Sequence, residues 1–173
     1  QRLLPAGMLR EPWSSLKRAD AVVLTRVEQV ERPVLEELRG RLSQFGPGLR
    51  VFTSFMAADG LRRLDTGALT DILPRRVFAV CAIGHPVNFL TTVRKAHEVM
   101  GYRFFPDHYT YTLKDMERIE AQARSCGAEA ILMTEKDACK WAPGTQGLPT
   151  YALRAKLGVD SALLAWLLEH LRG

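Results

Sequence analysis

From residue 76 onward, short apolar runs alternate with helix-patterned segments, and this alternation limits the possible folds more than any other feature of the sequence. "RVFAVCAIG" (76–84) precedes a helix opened by Pro86, with Phe89, Val93, Ala96 and Met100 on one face. "GYRFF" (101–105) leads to a helix capped at Thr112, where Thr-Leu-Lys-Asp has the spacing of a capping box. "EAILMT" (129–134) runs into "EKDACK", and "LPTYALR" (148–154) is a last strand. Asp160 then caps a helix carrying Leu164, Leu167, Leu168 and Leu171. Strands joined by crossover helices line up in parallel with helices on both faces, so the expected fold is α/β: Rossmann-like, three-layered, with a largely parallel sheet.

Upstream of residue 76 the pattern is less regular. Residues 1–18 are rich in Pro, Gly and basic side chains and read as a connecting segment. "DAVVLTR" (20–26) is a buried-strand run, and Pro33 opens a helix whose Leu35, Leu38 and Leu42 share a face until Gly-Pro-Gly at 46–48. In "RVFTSFMAADGLRRLDTG" (50–67), Asp59-Gly60 reads as the turn of an antiparallel β-hairpin linker. The expected divisions are therefore 1–49, 50–67 and 68–173.

With 173 residues, 47% of them hydrophobic and 25% charged, the chain is long and apolar enough to bury a core. No run approaches the roughly twenty apolar residues of a membrane span, and the start lacks a secretory pattern. Three cysteines without paired spacing fit a reducing compartment, with Cys81 and Cys139 read as core or near-core groups. The net charge of +5 favours phosphates, nucleic acid or an anionic membrane surface without choosing among them. The chain begins at Gln1 without an initiator Met, so it reads as a piece of something longer.

In open α/β sheets the ligand crevice lies outside the carboxyl ends of the strands. The polar residues there are Thr25 and Arg26, Gly84 and His85, Asp107 and His108, and Thr134, Glu135, Lys136 and Asp137. Each also has a plain structural reading. Asp107 and His108 suit a turn, Thr134 and Asp137 suit a helix cap and a first-turn acid, and Gly84 suits backbone geometry. The sequence contains no G-x-x-x-x-G-K-[ST] phosphate loop, no G-x-G-x-x-G, no His/Cys metal spacing and no G-x-S-x-G elbow. Nor does it show aromatic residues interleaved with Arg, so no nucleic-acid partner is expected.

Four stretches in order, "LLPAGMLREP", "AVCAIGHPVNF" (79–89), "FFPDHYTYT" (104–112) and "ILMTEKDACK" (131–140), resemble the C-terminal half of the tetraacyldisaccharide 4'-kinase family. The resemblance implies an enzyme that transfers the γ-phosphate of ATP, with Mg²⁺, to the 4'-hydroxyl of the lipid A disaccharide precursor at the cytoplasmic face of the bacterial inner membrane. It implies that residues 1–49 end the nucleotide-binding domain and that residues 68–173 form a C-terminal α/β domain, whose last helix returns to the first. It also implies a preceding ATP-binding half that carries the phosphate loop and metal-binding acids, so this chain alone would be inactive and would bind neither ATP nor metal. His108 matches a histidine that pairs with an aspartate base of that preceding half, next to Asp107. Arg10, in "LREP", matches an arginine facing the phosphates. Glu135, Lys136 and Asp137 match a Thr-Glu-Lys-Asp segment at a helix start. The basic pairs Lys17-Arg18, Arg62-Arg63 and Arg75-Arg76 would serve peripheral membrane contact or be solvated surface charge. The rival reading is a non-catalytic α/β module that docks a phosphorylated sugar at its strand ends.

Overall fold

A computed structural model describes residues 2–46, 48–70, 74–141 and 147–171. The chain divides into two compact units, one made of residues 1–56 and 157–173, the other of Ala57–Lys156. In chain order the strands are β1 (Ala21–Leu24), β2 (Arg50–Arg63), β3 (Leu69–Thr70), β4 (Arg76–Cys81), β5 (Glu98–Phe104), β6 (Ala130–Thr134) and β7 (Thr150–Val159). The helices are α1 (Arg32–Leu42), α2 (Pro86–Arg94), α3 (Leu113–Ser125), α4 (Glu135–Ala138) and α5 (Ser161–His170).

In the second unit β4 lies between β5 and β6, parallel to both, and β6 is parallel to β7. β7 in turn pairs antiparallel with β2, to which the short β3 adds a further antiparallel partner. The result is the expected α/β fold with a mixed, mostly parallel sheet. Side chains alternate across it, as the strand period of two requires. Phe78, Val80, Ile131 and Met133 face Met116, Ile119 and Ala123 of α3, while Val77, Ala79, Cys81 and Leu132 face Phe89, Leu90 and Val93 of α2. Helices thus cover both faces, which is why β4 and β6 read as unbroken apolar runs instead of alternating ones. Burying side chains such as Ile119, Leu132 and Val93, each fully buried, contributes roughly 1.5–3 kcal/mol apiece.

The first unit is built on β1, parallel to the start of β2 in the register Ala21↔Arg50 to Leu24↔Thr53. α1 forms where Pro33 and the leucine spacing predict it, and Leu42 is buried. Of the Gly-Pro-Gly stop, Pro47 lies outside the described residues. Trp13 stacks on Phe45 with ring centroids 5.9 Å apart, and the Arg41 guanidinium sits 4.8 Å above the indole. Trp166 of α5 packs on Phe52, and the Asp160 N–H donates to the Thr53 carbonyl at 3.0 Å.

Several sequence expectations need correction. Asp59-Gly60 is not a turn: β2 runs through it, with Gly60 at φ +84° inside the strand. An Asp-Gly pair marks a hairpin only if the chain reverses there, and here Asp59 faces Arg154 of β7 at 3.4 Å. The reversal comes at residues 64–68, closed by the Arg63 N–H to the Ala68 carbonyl and by Gly67 at φ +71°. Met100 is not on the Pro86 helix, which ends at Arg94. It is the extra residue where the β4–β5 register shifts from Val77↔Val99 to Phe78↔Gly101. Cys139 is exposed, unlike Cys81, because it lies just past α4 with its thiol turned back to the Glu135 carbonyl. Residues 13–18, read as connecting segment, form a short 3-10 helix.

The bulge at Met100 brings Gly101 against the Phe78 ring, where an added Cβ would stand 2.7 Å from a ring carbon. Because Phe78 is buried, it has little room to yield. Gly101→Ala should therefore lower stability by about 1–3 kcal/mol, the usual penalty for overpacking a closed core, as read from chemical denaturation midpoints.

Candidate functional site

Because β5, β4 and β6 are parallel neighbours, their carboxyl ends share one edge, and the strand end, loops and short helix found there carry eight of the candidate residues. α4 organises this edge. The Thr134 hydroxyl oxygen accepts the Asp137 N–H at 3.1 Å and donates to Asp137 Oδ2 at 2.6 Å. Asp137 is the first-turn acid of α4 that the sequence suggests, and it is also fully buried, with its Oδ1 accepting the Ala82 N–H at 3.1 Å. That bond ties the α4 start to the β4 exit loop bearing Gly84 and His85, both exposed. Beside Asp137 the Tyr111 hydroxyl is buried with no hydrogen bond of normal geometry among the described residues, and burial followed by the nearby Asp137 carboxylate pushes its pKa up. The same two causes, burial first, push the Cys81 thiol up to about 12.

The neighbouring residues of α4 reach in other directions. Glu135 lies 3.9 Å from Arg154 on β7, while Lys136 Nζ donates to Asp107 Oδ1 at 3.0 Å across to the β5 exit. That same Oδ1 accepts the His108 N–H at 2.9 Å. Lys136 is the main reason the Asp107 carboxyl sits below the usual carboxylate range, with the His108 N–H and imidazole adding to it. His108 has φ +64°, a left-handed backbone that is uncommon for a residue other than glycine and for which histidine is among the more tolerant types. Its side chain is 77% exposed, and Nε2 stands 3.7 Å from Asp107 Oδ2. An added Cβ on Gly84 would come 3.6 Å from that Oδ2, so the β4 and β5 exit loops approach each other here.

Three candidates lie in the other unit. Thr25 and Arg26 follow β1 and are exposed, with Arg26 at φ +59°, and Arg10 is exposed near the chain start. That unit also holds an apolar groove of about 660 Å³ lined by Leu9, Trp13, Leu16, Leu24, Leu38 and Leu42 among others, with none of these polar candidates in its wall. Most members of the basic pairs face carboxylates of their own surface. Arg18 meets Glu11, Arg63 meets Asp65 at 2.8 Å, Arg75 meets Glu98 at 3.8 Å and Arg76 meets Glu129 at 3.1 Å. Among the described residues no group of three or more His, Cys, Asp or Glu side chains could hold a metal ion, and no helix is long and apolar enough to cross a membrane.

Sequence reasoning missed two participants. Lys140 Nζ donates to the Tyr109 carbonyl at 3.1 Å, and the Tyr109 hydroxyl donates to Asp115 Oδ2 at 3.0 Å in the α3 cap. The Tyr-Thr-Tyr alternation at 109–111 was the available signal. Its two rings join Phe105 and Trp141 in an aromatic cluster, with Phe105–Tyr109 centroids 4.7 Å apart and Tyr111–Trp141 5.4 Å apart.

Replacing Asp137 with Ala would leave the Ala82 N–H and the Thr134 hydroxyl without their buried acceptor. The expected loss is about 1–3 kcal/mol, the penalty for an orphaned buried donor, and Asp137→Asn, which keeps an acceptor oxygen, should lose less. Denaturant titration of both variants checks the order.

The profile of the family described as tetraacyldisaccharide-1-P 4'-kinase (LpxK) matches residues 1–172. A tetraacyldisaccharide 4'-kinase of Halothermothrix orenii is 31% identical over 153 residues, covering 81% of this chain and 40% of the relative. One from Anaeromyxobacter dehalogenans is 34% identical over 167 residues, covering 94% of this chain and 43% of the relative. A crystal structure of LpxK from Aquifex aeolicus, described as an apo form in complex with ATP, superposes over 98% of this chain and 47% of its own, with TM-score 0.62 and 29% identity. The chain thus spans less than half the length of each of these relatives. On a match that runs through nearly every residue, this chain belongs to the tetraacyldisaccharide-1-P 4'-kinase family.

Proposed function

We propose that this chain is the C-terminal part of a kinase that transfers the ATP γ-phosphate to the 4'-hydroxyl of the lipid A disaccharide precursor, giving lipid IVA. Family membership supports the reaction, and the observation that carries the site is His108: exposed, left-handed and braced by Asp107 at the carboxyl edge of a parallel sheet. Non-glycine residues held in left-handed conformations concentrate at functional sites, because the surrounding structure must hold them there. In this reading the imidazole meets an aspartate of the preceding half of the protein. It orients that carboxylate and tunes its proton affinity, so that the carboxylate accepts the proton of the sugar 4'-hydroxyl. Arg10 faces the phosphates, where a guanidinium offsets charge that develops during transfer.

In this reading magnesium is held outside this chain, and no group of three or more His, Cys, Asp or Glu side chains converges among the described residues. The phosphate loop and metal-holding acids are assigned to the preceding half, together with the domain that residues 1–49 complete. The chain by itself is inactive. Work at the cytoplasmic face of the inner membrane involves peripheral contact only. The arginines already paired with carboxylates have less charge to offer that surface than the sequence suggests.

In the intact kinase His108→Ala should lower kcat by on the order of 10²-fold, the low end for a positioned acid/base group. KM for ATP should move little, because the histidine acts on the base and not on the nucleotide. The melting temperature should hardly change, as an exposed side chain removes little packing. An unchanged kcat rejects the role. Calorimetric titration of the 173-residue chain with Mg·ATP should show no saturable micromolar binding, and such binding would place a nucleotide site within it.

A further inference from the structure

Lys136 and Lys140 project from α4 and its continuation at a spacing of four, and they hold the two residues that flank His108. On one side Lys136 Nζ bonds Asp107 Oδ1 at 3.0 Å, the oxygen that also accepts the His108 N–H. On the other, Lys140 Nζ bonds the Tyr109 carbonyl at 3.1 Å. We propose that these two lysines form a cradle that positions His108 for the transfer reaction, an inference that rests on the role given to His108 above.

An imidazole this exposed has little packing to fix its direction, so its direction follows its backbone, and that backbone is in the left-handed region. A residue with a Cβ leaves that region readily unless its neighbours hold it. Asp107 is half exposed and without Lys136 would turn to water, releasing the His108 N–H. The lysines themselves extend from a fixed base: Thr134 caps α4, and the buried Asp137 bolts it to the Ala82 N–H. The arrangement makes Lys136 and Lys140 positioning residues that act through Asp107 and Tyr109. A competing use of the same charges, direct binding of the substrate's phosphate, would act on substrate affinity.

The test is a double-mutant cycle in the intact kinase with ATP and the lipid disaccharide. Lys136→Met should lower kcat about tenfold, within the range of a small misplacement of a catalytic group, with KM for the lipid unchanged. Lys136→Arg, which keeps a charged donor, should restore most of the rate. Lys136→Met with Lys140→Met should approach the His108→Ala rate. In the His108→Ala background Lys136→Met should cost nothing further. An additive loss there means a general defect and overturns the cradle, as does a raised KM with kcat intact, which marks phosphate binding. Full activity of Lys136→Met alongside a slow His108→Ala enzyme overturns the cradle alone. Full activity of His108→Ala overturns the reading beneath it as well.

Discussion

The bond from the Ala82 N–H to the Asp137 carboxyl is the constraint on which the strand-exit edge depends. A carboxyl group taken wholly out of water is costly unless its oxygens are engaged. Here one oxygen takes a backbone donor from the β4 exit and the other takes the Thr134 hydroxyl of its own helix start. Satisfying Asp137 therefore fixes where α4 begins relative to β4. Everything α4 holds inherits that position: Lys136 toward the β5 exit, Glu135 toward β7, and Lys140 one turn on. Three consecutive side chains of one short helix thus reach three different strands or their exits.

Much of this fold is legible in the sequence where the signal is local. The α3 cap is one case: Thr112 accepts the Asp115 N–H and Asp115 accepts the Thr112 N–H, and spacing alone predicts the pair. β4 and β6 are another, since strands covered on both faces must be apolar throughout. What was not legible depends on partners distant in sequence. Asp59-Gly60 looks the same whether the chain reverses or runs straight along β7. Met100 continues a helical spacing by coincidence, and only its pairing with β4 assigns it to a strand.

The strand-exit residues could be named from the strand ends, but not their relationships. Asp137 reads only as a first-turn acid because its acceptor role is set by a backbone amide 55 residues away. The Lys140 contact is with a carbonyl, a group every residue possesses, so no residue type announces it. The left-handed backbone of His108 likewise leaves no trace in composition beyond the tolerance of histidine for that region. Charge was the least informative signal. Several arginines behind the +5 balance face carboxylates of their own surface, and exposed pairs of that kind contribute little to stability.

The division of the chain also bears on the order in which its parts can form. The first unit draws on both termini, with the whole of Ala57–Lys156 inserted between them. Its contacts between Phe52 and Trp166, and between Thr53 and Asp160, join residues far apart in sequence. Closing so long a loop in an unstructured chain carries an entropy cost, and contacts of this separation form slowly. The antiparallel pairing of β2 with β7 changes the distance that matters. Once the inserted unit has folded, its two ends are already side by side, and the terminal segments meet across a gap of a few residues. Pairing of β2 with β7 therefore shortens the loop that those terminal contacts must close.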